Sequence, residues 1–150
     1  MNQADFRAKI INTCIDLLNQ HIKDTTEVIK DIEQSVQEYG PPKDRYDSFK
    51  TQLSRRRELL SEQIQKAWEE IEIFKRIDPA KIEVEAGFGA MVITTRQQLF
   101  ISVGMGKFEI DGKIWHAVSP AVPICQAITG LKKGNSFQFR DEEITIVDLF

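Results

Sequence analysis

The sequence has few cysteines and no long apolar run. Its 150 residues include only two cysteines, Cys14 and Cys125, which lie far apart and lack the spacing of metal ligands. We therefore expect two reduced thiols in a cytoplasmic protein, with neither a disulfide framework nor a zinc site. No stretch of 18 apolar residues occurs, so the sequence predicts no transmembrane helix and no membrane partner. The first seven residues lack a basic segment followed by an apolar core, so we expect no secretory signal.

Recognisable catalytic motifs are also missing from the sequence. Its two histidines, His21 and His116, fall in different predicted domains, and no Gly-x-Ser-x-Gly, phosphate-binding loop or His-Glu-x-x-His motif occurs. The triplets Gly87-Phe88-Gly89 and Gly104-Met105-Gly106 precede predicted strands rather than helix starts, so we interpret them as turns. We expect no intrinsic enzymatic activity and no bound cofactor.

The charge is low and unevenly distributed. A net charge of −3 argues against a large basic face of the kind that holds a protein on duplex DNA. Residues 1–40 carry a net charge of −3 and residues 41–78 carry +1. These opposite signs favour ion pairs between the two segments, each contributing less than ~1 kcal/mol where exposed.

What the sequence does contain is a long helical repeat over residues 1–78. Gly40-Pro41-Pro42 interrupts it, because neither proline has an N–H and Pro42 disfavours helical geometry at Pro41. A sustained 3.5-residue repeat of apolar positions predicts one apolar seam on each arm, to be covered by the other arm. Residues 1–78 are therefore predicted to form an antiparallel coiled-coil helical hairpin. The seam positions are Ile11, Ile15, Leu18, Ile22, Thr25, Ile29, Ile32 and Val36 in the first arm, and Tyr46, Phe49, Leu53, Leu60, Ile64, Ala67, Ile71 and Phe74 in the second.

Two features of the hairpin need partners beyond the seam. Phe6, Ile10, Cys14 and Leu17 add a second apolar row to the start of the first arm, and Trp68, Ile73 and Ile77 thicken the end of the second. We expect this base to dock against the rest of the chain or against a second copy. Arg55-Arg56-Arg57 interrupts the seam of the second arm. It is either a polar layer that sets the register or a contact to an acidic or nucleic-acid partner.

A change of period at Pro79 predicts a second domain over residues 79–150. Short runs of period 2 separated by turns predict strands over 82–86, 90–95, 99–103, 107–110, 113–118, 136–140 and 143–150. A short helix is predicted over 124–129, ended by Gly130. The predicted fold class is therefore α+β, with the helical hairpin followed by an antiparallel sheet and one short helix.

The tip of the hairpin carries the charged residues of most interest. Asp44 and Asp47 lie three residues apart at the start of the second arm, hence on one face. One interpretation is structural: acids favour a first helical turn, and Asp44 is a suitable N-cap. The other is that carboxylates carried ~50 Å from the base by an arm of ~33 residues help to hold a divalent cation at a partner's active site. Glu38, Tyr39, Lys43 and Tyr46 surround them.

Three segments resemble the bacterial Gre family of transcript cleavage factors. The first runs from Val118-Ser119-Pro120-Ala121-Val122-Pro123-Ile124 to Ala127-Ile128-Thr129-Gly130-Leu131-Lys132-Lys133-Gly134-Asn135 and is similar to the family's Ser-Pro…Ala-Leu-Leu-Gly-Lys…Gly-Asp segment. The second, Glu143-Ile144-Thr145-Ile146, resembles the family's closing strand. The third, Asp44-Arg45-Tyr46-Asp47-Ser48, looks like the tip of a short Gre-like branch.

This resemblance implies a fold and a partner. The fold is the hairpin followed by an FKBP-like domain, and the partner is bacterial RNA polymerase, with nucleic acid met only within the transcription complex. In the family the C-terminal domain docks at the rim of the polymerase secondary channel, which implies Ser119, Pro120, Pro123 and Gly130 as docking residues here.

The resemblance also implies a role for the tip. Asp44 and Asp47 would approach the polymerase's catalytic magnesium without holding a metal of their own, and Lys43, Arg45 and Tyr46 would contact the channel. The polymerase itself would then hydrolyse backtracked RNA. The sequence departs from the family pattern at the tip, where Pro41 stands at the family's first Asp, Asp44 at its Glu, Arg45 at its Asn and Asp47 near its last Glu. Val122 and Asn135 replace a Ser and an Asp.

Two other functions follow from the same sequence. A hairpin that grips another protein would make the chain an interaction or chaperone-like module. A prolyl isomerase would need an aromatic-lined pocket, for which Phe108, Trp115, Phe137 and Phe139 are available. Fold alone does not decide between these functions.

Overall fold

The computed structural model describes residues 2–41 and 47–150. It confirms the predicted fold class: two long helices are followed by a sheet that carries one short helix. The helices are α1 (Gln3–Tyr39), α2 (Ser48–Lys75) and α3 (Pro123–Ile128). The strands are β1 (Met91–Thr94), β2 (Gln98–Ile101), β3 (Gly106–Ile110), β4 (Lys113–Val118), β5 (Ser136–Phe139) and β6 (Glu142–Leu149).

The chain divides into two compact units. The helical unit is Ile15–Glu72. The sheet unit contains the described residues through Cys14 together with Ile73–Phe150, and so includes the first part of α1 and the end of α2. None of the helices in the described ranges is long and apolar enough to cross a membrane.

The predicted seam organises the helical unit. In α1, Leu18, Thr25 and Ile32 are only 4–6% exposed, and the seam residues between them are half-buried. In α2, Ala67 and Ile71 are 2% and 3% exposed. A single row of a helix becomes this buried only when another helix covers it. The seam prediction is therefore confirmed over most of its length.

The sheet has six strands in the order β3-β4-β2-β1-β6-β5. All of its pairs are antiparallel except β2 with β4, where Leu99 lies beside His116 and Ile101 beside Val118 in a parallel register. The prediction of a wholly antiparallel sheet was wrong at this pair. From β2 the chain goes out to β3 at the edge and returns through β4, which lies between them. Periodicity predicts strands but not their partners, so the sequence held no sign of this crossover.

One predicted strand, residues 82–86, does not form. Only Ala86 is held by the backbone there: its N–H donates to the carbonyl of Leu131 at 2.8 Å and its carbonyl accepts from the N–H of Gly130 at 2.9 Å. Ile82 and Val84 are 40% and 72% exposed. The alternation of apolar residues in this segment therefore has no sheet face to fill.

The two faces of the sheet are buried by different partners. The helix α3 covers one face through Ile124, Cys125 and Ile128. These residues pack in a core cluster with Ala86, Ala90, Val92, Leu99, Ile101, Ile146 and Leu149. The bases of α1 and α2 cover the other face: the Phe6 ring lies 5.9 Å from those of Trp115 and Phe150, and the Phe74 ring lies 5.8 Å from that of Phe100. Of the two partners predicted for the thick base, the structure provides the chain's own sheet for Phe6, Ile10 and Cys14. Leu17 and Trp68, also predicted to belong to this base, are 45% and 53% exposed, so the prediction was wrong for them.

A buried arginine holds the start of α1 in the sheet unit. Arg7 is 0% exposed. Its Nη1 donates to the carbonyl oxygens of Gly89 at 2.8 Å and Phe150 at 3.1 Å, its Nε donates to Pro79 at 3.2 Å, and its Nη2 donates to Asp78 at 3.3 Å. Desolvation by burial lowers the pKa of Arg7, and the charges of Glu83 and Asp78 act in the opposite direction.

Candidate functional site

The end of the hairpin begins with a glycine turn. After α1 ends at Tyr39, Gly40 adopts a φ of +84° and its N–H donates to the carbonyl of Val36 at 3.2 Å. This is the left-handed helix end at which glycine avoids the steric penalty of a Cβ. The sequence therefore ends α1 at Gly40, as the Gly-Pro-Pro segment predicts.

Asp47 takes the N-cap position of α2. Its Oδ1 accepts from the N–H of Lys50 at 3.4 Å, and its carbonyl accepts from the N–H and Oγ1 of Thr51 at 3.3 and 3.1 Å. A side-chain oxygen that accepts an N–H three residues on satisfies one of the donors left unpaired at a helix start. Asp47 is half-buried in this position. The role that the sequence assigns to Asp44 is thus filled by Asp47.

The other predicted tip residues, Lys43, Asp44, Arg45 and Tyr46, lie outside the described residues. The predictions for them as carboxylate and contact positions therefore stay predictions.

A hydrogen bond and an aromatic contact join the two arms of the hairpin beside the turn. The Lys50 Nζ donates to the carbonyl of Gly40 at 3.1 Å, and the Tyr39 and Phe49 rings lie 4.5 Å apart. Phe49 is nevertheless 45% exposed, although the seam pattern predicts burial. It pairs with Tyr39 at the margin of the seam. Lys50 was not predicted as a site residue, because its distance from the turn along the sequence forms no recognisable pattern.

The described carboxylates close to the turn do not form a metal site. Glu38 is exposed and its Oε1 accepts from Gln34 Nε2 at 3.0 Å, while Asp47 caps α2. Within residues 2–41 and 47–150, no group of three or more His, Cys, Asp and Glu side chains is placed to hold a metal ion. These two carboxylates could assist a cation only if a partner supplied further ligands.

The three consecutive arginines lie on the surface of α2. Arg55, Arg56 and Arg57 are all exposed, and their side chains make no hydrogen bond or ion pair with any described residue. A polar layer that sets the register would need such a partner across the seam. The contact to an acidic or nucleic-acid partner stays a prediction.

In the sheet unit, three of the predicted docking residues come together at the start of α3. Ser119 and Pro120 form the connection from β4, where Ser119 Oγ accepts from the N–H of Ala121 at 3.2 Å. Pro123 opens the helix at a position where a proline loses no hydrogen bond. Pro120 and Pro123 are exposed.

The fourth docking residue, Gly130, lies at the other end of α3. It has a φ of +83°, and its N–H donates to the carbonyl of Ala86 at 2.9 Å. The left-handed backbone alone accounts for a glycine at this position, with no need for a docking partner. A glycine was predicted here as the end of this helix.

A groove of about 240 Å³ opens beside the start of α3. We call it the α3 groove. Sequence analysis did not predict it, since its walls come from four separate segments. It is lined by Gln97, Leu99, His116, Val118, Val122, Pro123, Ile124, Phe139 and Arg140.

The α3 groove does not match the pocket expected of a prolyl isomerase. Of the four aromatic residues proposed for such a pocket, only Phe139 lines it. Trp115 and Phe108 are 1% and 5% exposed and belong to the core, and Phe137 packs against the cluster under α3. A peptide isomerisation assay would test this function directly.

Comparisons with known proteins give low similarity. No protein-family model and no curated protein matches the sequence. Among solved structures, the chain is similar to the transcription factor Gfh1, with 18% identity over 90% of this chain and 92% of that one and a TM-score of 0.36. It is also similar to GreA factor homolog 1 of Thermus thermophilus, with 16% identity over 91% of this chain and 94% of that one and a TM-score of 0.33. A third similar structure is Gfh1 of Thermus aquaticus, with 15% identity over 95% of this chain and 92% of that one and a TM-score of 0.34. Because every TM-score is below 0.5, these similarities carry no argument about function.

Proposed function

We propose that this protein is a Gre-like regulator of transcription elongation that binds bacterial RNA polymerase and places its helical hairpin in the secondary channel. The observation that carries the proposal is the hairpin itself, a long two-helix element turned by Gly40 and capped by Asp47. With 37 residues, α1 is about 55 Å long at 1.5 Å per residue. With 28 residues, α2 is about 42 Å long by the same measure. A pair of packed helices of these lengths suits a narrow, deep channel.

The sheet unit supports the proposal by providing a second contact surface. Ser119, Pro120 and Pro123 lie at the start of α3, in the segment that resembles the family's docking sequence. Pro120 and Pro123 are exposed and the α3 groove lies beside them. If the sheet unit docks through this surface, the hairpin takes no part in docking and can enter the channel. The protein would thus act through the polymerase and catalyse no step of its own.

Assistance to RNA cleavage is a separate part of the proposal. The two tip carboxylates assigned to it are Asp44 and Asp47, and Asp47 already caps α2 through one oxygen. Pro41 is exposed where the family carries an acid. Of these two carboxylates, Asp47 is the one that the structure describes.

Binding is tested by equilibrium titration of core RNA polymerase with the labelled full-length protein. We expect a dissociation constant in the micromolar range or tighter. Failure to bind at micromolar concentrations would remove the proposal.

Cleavage is tested on a backtracked complex with Asp44→Asn and Asp47→Asn, singly and together. Asparagine is as good an N-cap as aspartate, so these variants remove charge while preserving the helix start. If the carboxylates assist the polymerase's magnesium, the double variant will lose at least about tenfold in cleavage rate, equivalent to about 1.4 kcal/mol, and will still bind. Unchanged cleavage would restrict the function to binding.

A second candidate function is a module that grips another protein. It is favoured by apolar side chains left exposed on the helical unit: Phe49 at 45%, Leu59 at 59% and Trp68 at 53%. These side chains lie nine or ten residues apart along α2, so each is a separate contact position rather than part of one contiguous patch. Suppression of aggregation of an unfolded test protein, lost in Leu59→Lys with Trp68→Lys, would favour this function.

A further inference from the structure

The α3 groove is the uncovered continuation of a buried sheet face. Leu99 of β2 and His116 of β4 are neighbours in register, so their side chains share a face. Leu99 belongs to the cluster buried under α3. The groove lies on this face beside the first turn of α3, where Val122, Pro123 and Ile124 form one of its walls. Its location thus follows from where α3 begins.

The size of the groove favours one side chain of a larger partner. At about 240 Å³ it is smaller than the ~300–1,000 Å³ typical of small-molecule pockets. Leu99, Val118, Val122 and Ile124 supply aliphatic walls, and Phe139 supplies an aromatic one. An apolar side chain inserted there would replace water against these walls, a favourable exchange at ~25 cal/mol per Å² of apolar surface buried.

The rim of the groove is cationic and rich in hydrogen-bond donors. The Arg140 guanidinium lies 5.1 Å from the centre of the Phe139 ring, and no described acid forms an ion pair with it. His116 and Gln97 also line the groove, and none of its lining residues is acidic. The nearby Glu142 pairs with Arg96 instead. The rim therefore complements a carboxylate.

The backbone fixes Arg140 in this place. Arg140 and Asp141 have φ values of +53° and +63° in the turn between β5 and β6. Two consecutive left-handed residues in a two-residue hairpin turn match the right-handed twist of the strands. The turn sets the direction of the Arg140 Cα–Cβ bond.

We propose that the α3 groove binds a partner segment in which one large apolar side chain is followed by an acidic residue. The apolar side chain enters the groove and the carboxylate pairs with Arg140. The proposal rests on the proposed function for the source of the segment, an exposed part of RNA polymerase, but its chemistry is defined by the groove alone.

The test uses the ¹⁵N-labelled full-length protein and three acetylated, amidated hexapeptides. The probe is Gly-Ser-Leu-Asp-Ser-Gly, and the two controls replace its Leu by Ala or its Asp by Lys. We expect the probe to shift the amide signals of His116, Val122 and Phe139 with millimolar affinity, and each control to bind at least about fivefold more weakly. Absence of these shifts, or equal binding of the Lys peptide, would overturn the proposal.

Variants of the protein sharpen the test. Arg140→Asn removes the cation but keeps the turn, because asparagine tolerates positive φ better than most residues, and should weaken probe binding about tenfold. Lys132→Asn, a matched loss of charge after the other end of α3, should leave binding unchanged. Val122→Asp places a favoured N-cap residue with a negative charge in the groove and should abolish binding. Equal affinities of Arg140→Asn and the unmodified protein would contradict the proposed pairing.

The outcomes for the groove and for the proposed function are distinguishable. Probe binding without polymerase binding supports the groove and removes the polymerase as its partner. Polymerase binding without probe binding removes the groove proposal alone.

Discussion

The helical unit and the sheet unit are stabilised by different kinds of interaction. In the helical unit one repeating row of residues on each helix is buried, and neighbours in the row are three or four positions apart. In the sheet unit, Arg7 bonds the carbonyls of Pro79, Gly89 and Phe150, which are 72–143 positions away in the chain. This difference explains why the helical unit could be predicted from the sequence and the sheet unit only in part. The predictions below test whether the two units depend on these different interactions.

The largest effect is expected at Arg7. Arg7→Met preserves length and apolar contact but removes four hydrogen bonds in the sheet unit. The carbonyls of Asp78 and Phe150 still accept from the N–H groups of Lys81 and Met91, whereas those of Pro79 and Gly89 lose their donor. Two carbonyls left without a donor, at about 1–3 kcal/mol each, predict a loss of about 3–5 kcal/mol. Urea unfolding followed through Trp115 fluorescence, in a Trp68→Phe background, measures this loss in the sheet unit.

A matched control for Arg7 is available on the surface. Arg76→Met removes an exposed arginine and should change the unfolding free energy by less than about 0.5 kcal/mol. A similar small change for Arg7→Met would show that its four bonds do not stabilise the sheet unit.

A smaller effect is expected in the helical unit. Ile32 is 4% exposed in the seam, and Ile32→Ala should cost about 2–4 kcal/mol through lost burial and the cavity left behind. Leu59→Ala, at a position 59% exposed, should be close to neutral. Circular dichroism at the helical band during urea unfolding distinguishes them. Equal effects of the two substitutions would contradict the assigned seam.

The smallest effect concerns the two thiols, both of which lie in the sheet unit. Burial raises the pKa of Cys14 to about 12 and that of Cys125 to about 11. Because the thiolate is the reactive form, both should alkylate at pH 8 at least about 100-fold more slowly than an exposed thiol. Mass spectrometry after iodoacetamide treatment measures this, with guanidinium-unfolded protein as the control. Native labelling at the unfolded rate would show that the sheet unit opens readily.

The same shifts in thiol pKa determine how the stability of the folded state changes with pH. A raised folded-state pKa means that the folded state holds the proton more tightly than the unfolded state does. The stabilising contribution is complete below the usual thiol pKa of 9.0 and is lost as pH rises toward about 11 and about 12. Cys14→Ala with Cys125→Ala should remove this part of the alkaline loss.

Local patterns account for what could be predicted from the sequence. The 3.5-residue repeat predicted the seam, Gly40 and Gly130 predicted helix ends, and period-2 runs predicted the six strands that form. Each depends on residues within a few positions of each other. The same reasoning failed at residues 82–86, because alternation predicts a strand only when a neighbouring strand is free to pair.

Features formed by residues far apart in the chain were harder to predict from the sequence. Alternating steps of four and three would continue the seam from Ile11 back to Ala8, so Arg7 lies beside the apolar row and no break in the repeat indicated a buried arginine. At the tip, the sequence predicted Asp44 as an N-cap, and the observed start of α2 at Ser48 gives the cap of that helix to Asp47. The α3 groove combines residues from β2, β4, the start of α3 and the β5–β6 turn, whose proximity no local pattern contains.

The central claim, that the hairpin enters the polymerase channel, is tested most directly by cross-linking from its end. Cys14 and Cys125 are buried, so a maleimide photo-cross-linker can be attached selectively to Asp47→Cys, with Lys132→Cys as a matched probe on the sheet unit. We predict that position 47 cross-links to polymerase segments beside the catalytic magnesium and that position 132 cross-links only to the outer surface. Cross-links from position 47 to the outer surface alone, or none in a complex that forms, would contradict the claim.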